Sequence, residues 1–369
     1  MSTTGAVVDW PIYSADDHLD LWAMPEDVWS SRVAGRFVGQ CPHVETIDGT
    51  PWWVAGERRL MPRSDLVSAR LSAIARHGES NDIERISTPE LRLRDMERDG
   101  VHASVIYGPI GGAMGVDDPE ARAEFFRAWN DFAADYSATA PGRLAVTGAL
   151  PLDTPEAAAA EFLRIAGLGL KGVLMNPFLI DYRAPEWDTV WSVADETGIP
   201  VCFHLGGGTS RLDGTAQGWE WAAHRSVLPM QLDEPLAALV MNGALDDHPN
   251  FTLVLAEAGA GWLPYVVYRM DETVENRAHL LADQGFALSA RPSEIFKRQV
   301  MVSFEQEPNG STLIPLVGTD RFMWGSDYPH LDSTWPDSAA ALETALGGLD
   351  EADRRLITAD NCRRTFHLD

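Results

Sequence analysis

The stretch Ile12–Asp20, with the sequence IYSADDHLD, places three carboxylates and one imidazole directly after an apolar segment. Alternate side chains of a β-strand share a face, so Asp16, His18 and Asp20 would point to one side and Asp17 to the other. Aspartate and histidine at the end of a strand often begin a metal site. A polar turn with a helix N-cap has the same composition, so this stretch alone leaves both interpretations open.

Acidic or imidazole side chains also follow four other short apolar segments. They are His204, Glu257, Glu305 and Asp327. Three further apolar segments end instead in Tyr107-Gly108, Ala149-Leu150 and Met175-Asn176. The residues that could do chemistry are therefore unevenly distributed along the chain. They can form one site only if the fold brings the ends of these segments together.

Eight short apolar segments alternate with amphipathic helical patterns over most of the chain. They are centred near Tyr13, Val105, Ala145, Val173, Cys202, Leu253, Val302 and Met323. Strands that alternate with helices predict an α/β fold with a parallel sheet, and eight units of this length favour a (β/α)8 TIM barrel. Active sites of such barrels lie at the carboxyl ends of the strands, so the polar residues would gather along one arc of the barrel mouth.

One region departs from this alternation. Residues 35–88 are rich in proline and glycine and contain the hairpin-like sequence VETIDGTPWWVAGERRL at 44–60. We interpret the region as an insertion after the first strand, serving either as a lid over one end of the barrel or as a structural flap. With this insertion, residues 1–369 form a single predicted domain.

Composition excludes several classes of partner. The formal net charge of −26 disfavours nucleic acid and anionic membranes, and no apolar run is long enough to span a bilayer.

The N-terminus lacks the pattern of a secretory signal, and three widely spaced cysteines favour the reducing cytoplasm. We therefore expect a cytoplasmic protein that acts on a small molecule. The tryptophan-rich insertion is one reason to expect an oligomer.

Carboxylates concentrated in an apolar barrel mouth repel one another unless a cation or protons neutralise them. The residues therefore predict a divalent-metal site whose ligands are Asp16, His18, His204 and Asp327. Glu257 would either complete the ligand set or act as an acid or base beside it. Such an ion lowers the pKa of bound water or polarises a carbonyl or carboxylate group.

Four motifs carry a resemblance to a known family. They are Asp16-Asp17-His18, PVCFHLGGG at 200–208, HPNFTLVLAEAGAGWLPYVVYRMD at 248–271 and MWGSDYPHLDSTWP at 323–336. Together they resemble the amidohydrolase superfamily in its amidohydrolase-related (amidohydrolase 2) branch. That branch contains decarboxylases of the aminocarboxymuconate-semialdehyde and dihydroxybenzoate types, and the match covers nearly the whole chain.

The resemblance implies metal-site roles for His18, His204 and Asp327. The chain departs from the family pattern at Asp20, which replaces the second histidine of HxH, and at Glu257, which replaces a sixth-strand histidine. Zinc is the first expectation. The oxygen-rich ligands leave manganese or iron open, with one or two ions.

Three functional hypotheses follow from the residues and the resemblance. The first is a metal-dependent hydrolase or non-oxidative decarboxylase acting on a small carboxylated or amide-bearing molecule. The alternatives are a dinuclear non-haem Fe or Fe/Mn monooxygenase, and a subunit that supports a related catalytic chain. An oligomer could accordingly contain identical or related subunits. His224, His330, Asp20 and Glu305 are candidates for a second ion or for contacts with the ligands.

Overall fold

The computed structural model describes residues 8–63, 72–77, 85–109, 113, 115–208, 210–215 and 217–368. Strands occur at all eight apolar segments expected from the sequence, and the third is divided into two short strands at Thr147. Over the described residues the strands are β1 (Ile12–His18), β2 (His43–Ile47), β3 (Thr50–Ala55), β4 (Arg58–Pro62), β5 (Val101–Tyr107), β6 (Leu144–Val146), β7 (Gly148–Ala149), β8 (Val173–Met175), β9 (Val201–His204), β10 (Leu253–Ala256), β11 (Val300–Phe304) and β12 (Phe322–Trp324).

The strands at the eight predicted segments pair in parallel and in chain order. β1, β5 and β6 form one run, and β7 to β12 form another. The last strand meets the first through the backbone that follows it: the Asp327 amide donates to the Asp16 carbonyl and the His18 amide to the Tyr328 carbonyl, each at 2.7 Å. The α/β class is confirmed, and the strand order is the one expected for an eight-stranded barrel.

Helices connect most of the strands, and their ends follow the sequence. The helix Pro89–Asp99 begins with a proline and ends at Gly100, whose φ of 78° suits glycine. The described helices are α1 (Ala73–Arg76), α2 (Pro89–Asp99), α3 (Pro119–Ala138), α4 (Pro155–Leu168), α5 (Asp188–Thr197), α6 (Trp219–Val227), α7 (Asp233–Met241), α8 (Ala244–Asp247), α9 (Leu263–Asn276), α10 (Ala278–Asp283), α11 (Pro292–Gln299), α12 (Gly310–Val317), α13 (Ser338–Leu346), α14 (Glu351–Arg355) and α15 (Asn361–Thr365). Four of these, α1, α6, α11 and α15, lie where the sequence did not indicate a helix. None of the described helices combines the length and apolar character needed to cross a bilayer.

The insertion contains the expected hairpin. β2, β3 and β4 form a separate antiparallel sheet, and Trp53 on β3 is fully buried. Its ring packs edge-on against Trp29 at 5.8 Å, and Trp29 in turn stacks on Phe125 of α3 at 5.2 Å. The hairpin therefore anchors to the helical layer through aromatic contacts. Residues 64–71 and 78–84 of the insertion lie outside the described residues.

A glycine after β12 allows the last strand to approach the first. A Cβ atom at Gly325 would lie 2.4 Å from the Cβ of Asp16 and 3.0 Å from its backbone nitrogen. These distances are well inside van der Waals contact, so only glycine fits here without displacing Asp16.

We predict that Gly325→Ala lowers the free energy of unfolding by about 1–3 kcal/mol, the usual cost of overpacking, and displaces Asp16. Gly167→Ala is the matched control, because its added Cβ meets no atom within 4 Å. In helix α4 that change removes chain entropy from the unfolded state and should raise stability by about 0.4–1 kcal/mol. Urea denaturation of both variants measures the difference, and equal stabilities would contradict the close packing at Gly325.

Candidate metal centre

Four of the expected ligands converge at the carboxyl ends of three strands. Asp16 and His18 lie on β1, His204 ends β9, and Asp327 follows β12. His18 Nε2 lies 3.3 Å from Asp16 Oδ1 and 3.2 Å from Asp327 Oδ1. His204 Nε2 lies 3.3 Å from the same oxygen of Asp16. The structure thus joins these four side chains in one cluster through these three contacts.

Glu257, which follows β10, lies beside this cluster. Its Oε2 is 3.6 Å from His204 Nε2. Donor atoms of Glu257, His18 and Asp327 all lie within 4.8 Å of one another, as do those of Asp16, His18 and His204. The two groups share His18, so a cation beside His18 could take donors from either group.

The distances between the imidazole nitrogens and the carboxylate oxygens are those expected between neighbouring ligands of one metal ion. His18 Nε2 is buried and has no hydrogen-bond partner among the described residues, although two carboxylate oxygens lie close to it. Metal–nitrogen and metal–oxygen bonds of about 2.0–2.2 Å place neighbouring ligands about 3 Å apart. The spacing and the unsatisfied nitrogen therefore both fit a divalent ion shared by these side chains.

The tautomer of His204 supports the same interpretation. Its Nδ1 lies 2.8 Å from the Leu205 carbonyl oxygen, which can only accept a hydrogen bond, so Nδ1 is the donor. In the neutral ring Nε2 then carries a lone pair that faces Asp16. Either a proton or a cation must lie between these two groups, and the fixed tautomer suits a metal ligand.

In the absence of an ion, protons balance the acidic charge of the cluster. Burial and the charge on His330 both lower the pKa of His18, but Asp16 and Asp327 outweigh them and raise it to about 9. Burial, with the charge of Asp327, raises the pKa of Glu257 to about 7. Metal ions displace such protons from their ligands. The raised pKa values of His18 and Glu257 therefore indicate a site whose negative charge favours binding of a cation.

Ser303, on the inward face of β11, was not singled out from the sequence. Its hydroxyl donates to Asp16 Oδ2 at 2.8 Å and accepts from the Glu257 amide at 2.8 Å. Glu257 and Asp327 have φ values of 54° and 57°, and such strained conformations persist only when their surroundings fix them. The sequence feature that could have indicated Ser303 is its position as a polar residue in an otherwise apolar strand, two positions before Glu305.

Asp17 points away from the cluster, as strand alternation predicted. It is buried and accepts hydrogen bonds from the hydroxyls of Ser14, Ser104 and Ser326. It also accepts from the Tyr328 amide at 3.2 Å. Asp17 therefore fixes the backbone on both sides of Asp327, which is a structural contribution to the site.

His330 links two carboxylates at the edge of the cluster. Its Nδ1 lies 2.7 Å from Asp327 Oδ1 and its Nε2 lies 2.6 Å from Asp20 Oδ2. Its ring also stacks on His18, with centroids 4.0 Å apart. Burial alone would lower the pKa of His330, but Asp327 and Asp20 raise it well above its usual value. Asp20 therefore contacts the cluster through His330.

The cluster opens into a cavity of about 1000 Å³. Glu305 lines it beside Glu257, and burial together with the Glu257 charge raises the pKa of Glu305 well above its usual value. His224 lines the same cavity from helix α6, outside the ligand cluster. Within the part of the insertion that the structure describes, no residue lines this cavity, so its proposed use as a lid remains a prediction.

Comparison with known proteins adds a family and a set of relatives. A family model described as Amidohydrolase matches residues 42–368. The gamma-resorcylate decarboxylase of Rhizobium sp. (strain MTP-10005) is 26% identical over 300 residues, which cover 76% of this chain and 87% of that protein. The resemblance drawn from the motifs is thereby confirmed.

Two solved structures illustrate the likeness in fold. An amidohydrolase from Mycobacterium avium subsp. paratuberculosis K-10 gives a TM-score of 0.78 at 19% identity, covering 98% of this chain and 100% of the other. A dihydroxybenzoic acid decarboxylase from Polaromonas sp. JS666, with bound manganese and the inhibitor 2-nitroresorcinol, gives 0.66 at 21% identity and 97% coverage of both chains. The α/β architecture is therefore shared over nearly the full length.

We predict that His18→Ala and Asp327→Ala each remove most of the bound metal, because each substitution deletes a donor from the centre of the cluster. His248→Ala is the control, since His248 contacts Asp188 rather than the cluster. Elemental analysis of the purified proteins gives the ion content per chain. Full metal content in both of the first two variants would exclude this site.

We further predict that Ser303→Ala weakens metal binding by about 10–100-fold, the usual effect of removing a group that orients a ligand. The variant loses the hydrogen bond to Asp16 and the acceptor for the Glu257 amide. It keeps all of the proposed metal ligands. Titration with Mn²⁺ after chelation measures the affinity. An affinity equal to that of the unsubstituted protein would show that Ser303 does not orient the cluster.

Proposed function

The chain belongs to the amidohydrolase family, and on that basis we propose that it is a metal-dependent decarboxylase of a small hydroxylated aromatic acid. The observation that carries this proposal is the set of contacts that joins Asp16, His18, His204 and Asp327 beside a cavity. The relatives named as gamma-resorcylate decarboxylases support decarboxylation over hydrolysis. Neither the oxygenase alternative nor the supporting-subunit alternative finds similar support.

We propose that Asp16, His18, His204 and Asp327 hold one divalent ion and that Glu257 completes the set or remains beside it. Zinc was the first expectation from the sequence. The three carboxylates offer hard oxygen donors, which suit manganese, and the decarboxylase from Polaromonas has manganese bound. Manganese is therefore the ion we propose, with zinc as the alternative. When bound, the ion would polarise the oxygens of a carboxylate substrate.

The chain's own residues supply the proton that decarboxylation consumes. A ring carbon takes up one proton, the bond between that carbon and the carboxylate breaks, and carbon dioxide leaves. The reaction needs no external oxidant or reductant. Burial raises the pKa of Asp327, but His330 and His18 outweigh it, so Asp327 is ionised and its pKa lies below the usual value. His330, held between Asp327 and Asp20, carries the proton. In the proposed reaction His330 gives its proton to Asp327, which passes it to the ring carbon as the bond to the carboxylate breaks, and His330 then takes up a new proton from solvent.

The surrounding architecture is proposed to serve this reaction. We infer that the eight strands close into a TIM barrel within a single domain, supported by the hydrogen bonds between Asp16 and Asp327. The insertion is proposed as a lid or a flap at its end. We propose an oligomer with identical or related subunits, to which exposed Trp219 and Tyr265 could contribute apolar contacts. Three free cysteines, all buried, support a reducing cytoplasm.

We predict that the Mn²⁺-loaded protein releases carbon dioxide from 2,6-dihydroxybenzoate or a related hydroxybenzoate, and that chelation abolishes this activity until Mn²⁺ is restored. His330→Asn should lower kcat by about 10²–10⁴-fold, the usual contribution of a positioned acid or base. Its metal content should be largely retained, because His330 is outside the proposed ligand set. Carbon dioxide release and metal content are measured on the same preparations.

His248→Asn is the control for that comparison, since it lies outside the cavity lining. If the metal-loaded protein hydrolyses amides or esters but releases no carbon dioxide from aromatic acids, the decarboxylase proposal is wrong. An unchanged kcat for His330→Asn would exclude His330 as the proton source.

A further inference from the structure

One strand end at the cavity carries a polar residue that the proposed reaction does not use. Asn176 directly follows β8 and lines the cavity together with Leu174, which lies two positions earlier on the same face of the strand. In the sequence, this strand end is one of the three without an acidic or imidazole side chain. Neither metal binding nor proton transfer therefore accounts for the Asn176 amide at this place.

The turn that follows β8 fixes the orientation of this amide. The side-chain oxygen of Asn176 accepts a hydrogen bond from the Phe178 amide at 3.0 Å. Because a backbone N–H can only donate, the accepting atom is Oδ1 and the other end of the group is the NH2. The amide lies against Gly207, where an added Cβ would be 2.7 Å from Nδ2 and 2.9 Å from Oδ1. Gly207 therefore leaves room for the amide, and both contacts restrict its rotation.

The nitrogen of the Asn176 amide is an unused donor. Nδ2 donates to none of the described residues, and it keeps accessible surface at the cavity wall. Other donors of the lining are already engaged. Trp22 Nε1 donates to Asp20 at 3.1 Å, and Gln306 Nε2 donates to the Asp332 carbonyl at 2.8 Å. A molecule in the cavity can therefore reach an N–H group for which the described part of the chain supplies no acceptor.

Asn176 lies close to the ligand cluster and not at the far end of the cavity. Met175 on β8 pairs with Phe203 on β9, so the next residues of the two strands, Asn176 and His204, occupy neighbouring positions. Adjacent strands are about 4.8 Å apart. A substrate atom that bonds to Nδ2 is therefore close to any atom held beside His204. On an aromatic acid whose carboxylate is held by the cluster, that atom belongs to a substituent next to the carboxylate.

Resting on the decarboxylase function proposed above, we propose that Asn176 determines specificity for an oxygen substituent on the ring carbon next to the one that bears the carboxylate. Nδ2 donates a hydrogen bond to this oxygen. A methyl group at the same position offers no acceptor, so its binding displaces water from the amide without replacing the hydrogen bond. The site should therefore prefer acids with an oxygen at this carbon over alkyl-substituted acids of the same size.

Two probes that differ in one group test this assignment, 2-nitroresorcinol and 3-methyl-2-nitrophenol. In both, a nitro group stands in for the carboxylate and a hydroxyl lies beside it. The group on the other side of the nitro group is a hydroxyl in the first probe and a methyl in the second. The hydroxyl that both probes share should face the ion, which is the stronger partner, and leave the variable group to Asn176. Neither probe can lose carbon dioxide, so isothermal titration of the Mn²⁺-loaded protein measures binding without turnover.

The measured quantity is the Kd of the methyl probe divided by the Kd of 2-nitroresorcinol. We expect Asn176→Ser to lower this ratio about fivefold, the usual value of one neutral hydrogen bond. The serine hydroxyl can still accept from the Phe178 amide, but it is too short to replace Nδ2. A merely structural effect of the substitution would weaken both probes equally and leave the ratio unchanged.

Asn242→Ser is the matched control. The side-chain oxygen of Asn242 accepts from the Ala244 amide at 3.0 Å, two residues along the chain as in the turn at Asn176. Asn242 does not line the cavity, so its substitution removes a similar amide without changing the surface that the probes meet. This variant should keep the full ratio.

The proposal is overturned if 2-nitroresorcinol does not bind, if it binds no more tightly than the methyl probe, or if Asn176→Ser keeps the full ratio. It is also overturned if Asn242→Ser lowers the ratio as much as Asn176→Ser does. The decarboxylase function is tested separately, by carbon dioxide release from aromatic acids. Binding with the expected ratio but without any carbon dioxide release would contradict that function and still establish the contact made by Asn176.

Discussion

Repulsion between carboxylates crowded at the strand ends is the constraint on which this structure depends. Asp16 and Asp327 are buried, and Glu257 lies close to Asp327. In a poorly solvated cavity such charges strongly oppose one another. Imidazoles and retained protons balance them in the structure described above, and a divalent ion would balance them better because it replaces those protons at fixed positions.

The surrounding fold holds this unfavourable arrangement together through close packing and hydrogen bonds. Gly325 admits Asp16 next to the last strand, and Ser303 ties Asp16 to the Glu257 backbone. Asp17 collects serine hydroxyls and fixes the residues around Asp327. The same parts of the backbone therefore stabilise the fold and position the ligands, so stability and ion binding should change together in variants of these residues.

The sequence predicted the α/β class and the position of each strand, because buried parallel strands have a strong apolar pattern. It also pointed to His18, His204 and Asp327, since each directly follows or ends such a pattern. It did not point to Ser303, whose importance arises only when β11 lies beside β1 and β10. Helix α6 was missed because its nine residues lie within the long, glycine-containing connection after β9, outside the regular alternation of strands and helices.

The pairing of the first strand with the chain after the last one has a consequence for maturation. Asp20 and His330 are in contact although 310 positions separate them, and Asp16 and Asp327 are joined in the same way. On the ribosome, β1 emerges long before Asp327 is translated. The complete ligand set therefore cannot form until Asp327 has emerged, which places capture of the ion after the first eleven strands have been made.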